Sequence, residues 1–518
     1  ERFSIIMKQS PPLLSAPLSL RVGGTTFCKL AWMSAVLIAT TAADAADKTK
    51  PSPTASSSGG SVHSFSFQSG INYELSTNVV PGEFCDPNSP LSLSGYFDVD
   101  GSKYDNDNSK HYFYWFFERR STSLLPENEQ PTKQNENDIP FVIWLNGGPG
   151  CSSLLGLLEE NGPCLVNKDG RSTTVNPYSW TEAAHVLYLD QPAKTGYSYG
   201  DTNDVNEEEI AEDAYFFLQS FFGSPEGAKY KDLPLYLTGE SYAGHFIPAI
   251  AHRIWKGNHH HAKNDLLHLP LSGFAIGNGS IDIEEQMKWF AEMAYHNPHG
   301  LKLINKDEYE DMKDAAKSCV RDAHKCNNED RKLEKEFICQ KASNCEEDFF
   351  TPLLDKNISI YDITKPCIGP LCTDETPITT FLNLEQTKQT LGVPSDVKWE
   401  PCDDHVNEIW SLEDRVANFA PYVSELLNAN LPVLIYAGDL DFICNFMGNR
   451  AVTLKLDWDH GDAFRSADDH DWNNGGGLAR SSNNLAFLQL YNAGHMVPGD
   501  QPEQALKMIT QFLNGEAF

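Results

Sequence analysis

The sequence predicts an α/β protein with a mostly parallel central sheet, helices on both faces of that sheet, and an inserted, disulfide-rich cap. Three observations lead there. Short apolar runs recur along the chain and alternate with longer helix-like stretches, the rhythm that buries a parallel sheet between two layers of helix. From roughly 284 to 394 this rhythm stops, and a charged, cysteine-rich region replaces it. The length, 518 residues with 40% hydrophobic, supports a large core that exceeds one simple domain and suits a big domain with an insertion.

The runs read as buried strands are Tyr112 to Phe117, Phe141 to Leu145, Val186 to Leu189, Leu235 to Leu237, Phe274 to Ile276, Val433 to Tyr436 and Leu485 to Leu490. Helix-like stretches are Glu207 to Phe222, Tyr242 to Lys256 and Pro502 to Leu513, the last opening on a proline in a favourable early position. The cap carries Cys319, Cys326, Cys339, Cys345, Cys367 and Cys372. No internal repeat is visible.

Ahead of these elements, Lys29 precedes the apolar stretch Leu30 to Ala39, and small residues follow at Ala43-Asp44-Ala45. The run is too short to span a membrane and reads as a signal peptide, so residues 1–45 are assigned to a signal region and no membrane association is expected after its cleavage. Residues 46–78, rich in Ser, Pro, Thr and Gly at their start, are read as a linker or short pro-segment, and 79–518 as the folded domain.

Acidity excludes one class of partner. With 40 Lys plus Arg against 72 Asp plus Glu, the formal charge is −32, which repels a phosphate backbone. No nucleic-acid partner is expected. The same charge suits a compartment of low pH, where part of it is titrated away. Twelve cysteines behind a signal peptide point to disulfides, not metal. No Cys-x-x-Cys occurs, and the histidine run 259–261 has no companion ligand at metal-binding spacing. Neither a metal nor a cofactor is expected. Two Asn-x-Ser sequons start at Asn278 and Asn357, and only Asn357 has a polar, loop-like context for a glycan.

The chemistry is concentrated after the strands. Leu235-Tyr-Leu-Thr-Gly-Glu-Ser-Tyr-Ala-Gly is a strand, a tight turn and a helix start, the context of a nucleophile elbow that presents Ser241 at a helix N-terminus. It departs from Gly-x-Ser-x-Gly at Ala243. A serine hydroxyl needs a base and the base needs an orienting acid. Asp439 and Asp441 follow the run at 433, and His495 follows the run at 485, giving the order Ser, Asp, His of α/β-hydrolases. Residue spacing leaves Asp439 and Asp441 both open. A third segment, Trp144-Leu-Asn-Gly-Gly-Pro-Gly-Cys-Ser-Ser, supplies glycines that let backbone N–H groups approach a substrate oxygen.

These segments, with His111-Tyr-Phe-Tyr-Trp-Phe-Phe-Glu, Asn176-Pro-Tyr-Ser-Trp, Leu189-Asp-Gln-Pro, Ile276-Gly-Asn-Gly, Gly438-Asp-Leu-Asp-Phe-Ile-Cys-Asn and Gly494-His-Met-Val-Pro, resemble the serine carboxypeptidase family from about Asp86 to Phe512. The resemblance implies an α/β-hydrolase fold and hydrolysis of peptides and proteins from a free C-terminus, in the vacuole, the lysosome or outside the cell. It selects Asp441 over Asp439, giving the triad Ser241, Asp441 and His495. By the same resemblance the oxyanion hole is the backbone N–H of Gly148 and Tyr242, and Asn146, Gly147, Glu160 and Glu240 hold the substrate's terminal carboxylate. Cys444, as a free thiol, and Met496 line the substrate pocket. Disulfides are implied between Cys151 and Cys402, Cys319 and Cys345, Cys326 and Cys339, and Cys367 and Cys372, leaving Cys85 with Cys164. Glu159 stands where relatives tend to place an apolar pocket residue. Two other readings share the triad: transfer of acyl groups from sugar esters, and a non-catalytic role protecting another hydrolase. A carboxyl pair at Glu160 and Glu240 favours the peptidase, because it suits a free carboxylate. A homodimer stays open.

Overall fold

The computed structural model describes residues 60–68, 71–101, 109–127, 130, 138–200, 204–261, 265–329, 331–369 and 371–518. The expected signal region 1–45 lies outside the described residues, as does the part of the expected linker before residue 60.

A long mixed sheet forms the frame. Its strands are β1 (Ser61–Phe65), β2 (Asn72–Val79), β3 (Ser92–Asp100), β4 (Ser109–Phe117), β5 (Phe141–Leu145), β8 (His185–Leu189), β9 (Tyr199–Gly200), β10 (Leu235–Ser241), β11 (Leu271–Gly279), β12 (Val433–Gly438), β13 (His470–Trp472), β14 (Gly477–Ser482) and β15 (Leu485–Leu490). A separate hairpin pairs β6 (Cys164–Val166) with β7 (Thr173–Val175). The order is β1-β2-β3-β4-β8-β5-β10-β11-β12-β15-β14-β13. All of the expected apolar runs lie in this sheet, and those from β8 to β15 pair in parallel. Antiparallel strands extend it on both sides.

The central strands read as continuous apolar runs because both faces are covered. In β4 the alternation is explicit: Tyr112, Tyr114 and Phe116 enter the core cluster shared with α1 (Glu207–Gly223) and α2 (Ala243–Asn258), whereas Phe113, Trp115 and Phe117 enter the opposite one. That second cluster is closed by the helix Pro502–Leu513 through Ala505, Leu506, Met508 and Ile509. Truncating a buried Phe of either layer to Ala costs about 3–5 kcal/mol on general grounds. Helix α1 starts where Asn206 Oδ1 accepts from the amides of Glu208 and Glu209.

One boundary needs correction. The stretch 46–78, read as a linker or pro-segment, contains β1 and most of β2. Its Ser-rich composition hides two compensations: the backbone ladder between the strands, and Phe65 and Phe67, whose rings stack and lead on to Phe216 of α1. The cysteine-rich insertion begins after β11 and returns at β12, so its helices run from Ile283 to Asn428, beyond the expected 284–394. Disulfides join Cys85 to Cys164, Cys151 to Cys402, Cys319 to Cys345, Cys326 to Cys339 and Cys367 to Cys372. Among the described residues, no helix is long and apolar enough to cross a membrane.

Candidate active site

The parallel strands end on one edge, where α/β proteins gather their reactive groups. There β10 passes through a sharp turn into α2. Ser241 takes φ 63°, a left-handed conformation that costs a non-glycine residue energy and is held by the elements on either side. Gly239 makes the turn feasible, since a Cβ there would lie 2.1 Å from the Leu145 carbonyl oxygen of β5. This is a sharp strand-to-helix turn held by packing, and Ala243 at its last position is fully buried.

The expected acid and base lie in the same region. Asp441 follows β12 and His495 follows β15; both are buried. His495 Nδ1 lies 2.9 Å from Asp441 Oδ2, and the His495 amide donates to the Tyr361 carbonyl at 2.8 Å. The Asp441 carboxylate is held by the Asn278 side-chain amide at 2.7 Å and the Cys444 amide at 3.2 Å, both on Oδ2. Asp439 points elsewhere, accepting from the Asn492 amide at 2.8 Å and facing His299 at 3.1 Å. The alternative that residue spacing left open thus falls to geometry: Asp441 contacts His495.

The glycine-rich loop after β5 closes over the elbow. A Cβ on Gly147 would come within 2.3 Å of the Tyr242 amide nitrogen, so only glycine admits this approach. A cavity of about 110 Å³ results, lined by Asn146, Gly147, Gly148, Glu240, Ser241, His495 and Met496 among others. Of the expected set, Asp441, Tyr242, Glu160 and Cys444 do not line it. Glu160 is buried against Glu240, and Cys444 is buried, its thiol pushed well up by burial and by the negative charge of Asp441.

The two glutamates form an electrostatic pair. Burial pushes Glu160 well above the usual carboxyl range, with the charge of Glu240 adding to it. Glu240 is raised as well, first by burial and then by the charges of Asp441 and Asp500. Asn146 Nδ2 donates to Glu240 Oε1 at 2.9 Å, and its own oxygen accepts from Trp144 Nε1 at 2.7 Å, which fixes the direction of the amide. The two carboxyls also hydrogen-bond each other, which requires a proton on one of them.

Several supporting residues carry no signal in the sequence. Tyr242, beside the nucleophile, donates its hydroxyl to Asp414 at 3.2 Å and accepts from Trp410 Nε1 at 2.9 Å, both from the insertion. The Glu207 amide of α1 also donates to Asp414, at 3.1 Å. Tyr361 and Glu375 reach the cavity from the insertion too. Only Asn278 was visible in principle, through Ile276-Gly-Asn-Gly at the end of a strand. Its burial leaves no room for a glycan, whereas Asn357 is exposed.

Two clusters bring possible cation ligands together. Cys319, Cys345 and Asp348 converge, but the cysteines are bonded to each other. Glu207, His245 and Asp414 bring ligand atoms within 4.8 Å of one another, yet Asp414 is already engaged by the Glu207 amide and Tyr242. In the histidine run, His259 and His261 turn their rings to the carbonyls of Trp255 and Asn258 at the end of α2.

A family model described as serine carboxypeptidase matches residues 82–515. Carboxypeptidase Y of Komagataella phaffii is 35% identical over 453 residues, which cover 86% of this chain and 80% of that protein. Serine carboxypeptidase-like 47 of Arabidopsis thaliana is 35% identical over 431 residues, covering 82% and 78%. The vacuolar serine-type carboxypeptidase ATG42 of Saccharomyces cerevisiae is 36% identical over 442 residues, covering 82% and 79%. Among solved structures, a prohormone-processing carboxypeptidase from Saccharomyces cerevisiae superposes with a TM-score of 0.70 at 25% identity, covering 84% of this chain and 95% of that one.

Proposed function

This chain belongs to the serine carboxypeptidase family, and from that premise we propose that Ser241, Asp441 and His495 form the triad with which it removes residues from the C-terminus of peptides and proteins. It is a serine-type carboxypeptidase. The observation that carries the triad is the 2.9 Å contact between His495 Nδ1 and Asp441 Oδ2 beside a cavity that contains Ser241.

Ser241 Oγ attacks the last peptide carbonyl while His495 Nε2 takes its proton and Asp441 holds the Nδ1–H. The negative oxygen formed is met by the backbone N–H groups of Gly148 and Tyr242. Collapse breaks the C–N bond, with His495 returning the proton to the leaving amine, and the terminal amino acid departs. Water then attacks the acyl-serine, His495 again serving as base and acid, and the shortened peptide leaves with a new carboxylate.

Restriction to the last residue comes from Asn146, Gly147, Glu160 and Glu240, which hold the terminal carboxylate. A protonated carboxyl in that pair donates a hydrogen bond to the substrate anion, which ties binding to acidic pH. Met496 lines the wall of the same pocket. The acidic composition, the exposed sequon at Asn357 and the vacuolar relative favour a glycosylated enzyme of the vacuole, the lysosome or the secretory route.

The test is a Ser241→Ala variant assayed on N-blocked dipeptides, with a fluorophosphonate probe on the parent enzyme. Turnover should fall by several orders of magnitude, and the probe should label Ser241 alone. Near-normal release of amino acid by the variant would overturn the assignment.

A further inference from the structure

We propose that Asp190 is a positioning residue for the oxyanion hole: its buried carboxylate gathers the groups that follow the glycine-rich loop and fixes the backbone N–H of Gly148 where the negative oxygen forms. The proposal deepens the carboxypeptidase reading and rests on the role that reading gives Gly148.

The loop's glycines do not hold their own shape. Gly148 and Gly150 take φ of 113° and 95°, a region that glycine enters at little cost and leaves as readily. The Cys151 amide donates to the Gly147 carbonyl at 3.1 Å and closes a turn around Gly148. An oxyanion hole acts through donors fixed in advance of the reaction, so the ends of that turn need fastening from outside.

Asp190 supplies the fastening from the sheet. It stands just past the end of β8, where its own amide donates to the Phe113 carbonyl of β4 at 3.0 Å. Its Oδ1 accepts from Ser152 Oγ at 2.7 Å and from the Ser153 amide at 2.9 Å, and the Leu154 amide donates to the same carboxylate. Its Oδ2 accepts from the Tyr197 amide at 2.9 Å. The packing leaves no slack, since a Cβ on Gly196 would lie 2.2 Å from Asp190 Oδ2 and 2.6 Å from Ser152 Oγ. Ser153 carries the hold back to the start of the loop: its Oγ accepts from the Asn146 amide at 3.1 Å and donates to the Leu189 carbonyl at 2.7 Å. The insertion grips the same place, with Trp399 Nε1 donating to Ser152 Oγ at 3.0 Å and the Pro401 carbonyl accepting from the Ser152 amide at 2.9 Å.

The chemistry of the site asks for an acid. Four donors converge on two oxygens, and an ionised carboxylate is acceptor-only, whereas an amide turns its NH2 against at least one of those donors. Burial pushes the Asp190 carboxyl up to about 6 against the pull of the four donors. The carboxylate is therefore tested at about pH 7, where it is ionised. Asp190 is not part of the cavity lining, so its effect on the reaction passes through the loop.

The test is Asp190→Asn, assayed at about pH 7 on an N-blocked dipeptide and with the matching peptide aldehyde, whose adduct with a serine places an oxyanion in the hole. Its kcat should fall roughly 10- to 100-fold with KM within about threefold, and the aldehyde's Ki should weaken by about the same factor as kcat/KM. A purely structural role lowers Tm and leaves kcat and the aldehyde's Ki where they were. That result would overturn the inference, as would a rise in KM at constant kcat or a fall in kcat with the aldehyde's Ki unchanged, and each leaves the peptidase reading standing. A parent enzyme that releases no amino acid would overturn that reading and the inference with it. Should Asp190→Asn fail to fold, Ser152→Ala decides by the same comparison: it removes one donor and keeps the carboxylate, and the expected parallel loss in kcat and aldehyde affinity is about 3- to 10-fold.

Discussion

Asn278 Nδ2 donates to Asp441 Oδ2 at 2.7 Å, and the same carboxylate oxygen meets His495 Nδ1 at 2.9 Å. Asn278 also accepts from the Gly438 amide at 3.2 Å, so one side chain ties the end of β11 to the turn that carries the acid. Its φ of 42° suits glycine as well as asparagine. Asn278→Gly therefore removes the side chain with little backbone penalty. The expected result is a drop in kcat of roughly 10- to 100-fold with KM little changed, because a positioning group acts on the transition state. A rise in KM at constant kcat would show that Asn278 does not act through Asp441.

The Glu160 and Glu240 pair predicts a pH dependence with a definite sign. Both carboxyls are raised above their ordinary range, chiefly by burial. The protonated, substrate-binding form is thus present at low pH and lost as pH climbs through the raised values of the pair. KM for a peptide acid should rise with pH, whereas KM for its amide should stay flat. In Glu160→Gln with Glu240→Gln the acid's profile should flatten. Parallel profiles for acid and amide in the parent enzyme would refute this account of the clamp.

A second acidic pair shapes stability. Glu207 is buried and its carboxyl hydrogen-bonds that of Asp414, which is pushed up to about 6, first by burial. Glu207 is raised well above the usual range by burial and by the charge of Asp414. Their neighbours are Tyr242, Trp410, Arg415 and His245, the last kept neutral by burial. A carboxyl raised in the folded state binds more protons there than in the unfolded chain, so stability falls as pH rises from ~4 upward. Glu207→Gln keeps a donor for Asp414 and removes one ionisation. Its Tm should match the parent near pH 4 and exceed it near pH 7, and the reverse order would contradict the assignment.

Cysteine chemistry supplies a fourth check. Ten cysteines are bonded and Cys444 is free and buried. Burial pushes its thiol well up, so little thiolate is present at neutral pH. In a chain lacking the signal region, a disulfide-exchange reagent should find no reactive thiol in the native protein and one after denaturation. Peptide mapping that placed Cys444 in a bridge would contradict the fold described.

Much of the candidate site was legible because each residue of the proposed triad ends or follows a strongly apolar strand and so announces its own position. Ser241, Asp441 and His495 are all of this kind. Asp414, Trp410 and Glu375 were not, since they sit in the insertion, where short helices carry charged residues without a clear period. The edge strands escaped for a related reason. In β1 the side chains alternate between exposed and half-buried, and its order comes from pairing with β2 and from packing on α1, neither of which local composition records.

The insertion between β11 and β12 also sets a schedule. Asn278 and Asp441 are 163 positions apart in the chain, and a ribosome making about 5–20 residues per second needs roughly ten to thirty seconds to span that gap. Throughout that interval Ser241 exists without Asp441 and His495. On the proposed triad, a nascent molecule cannot hydrolyse peptides until its last third has emerged and docked.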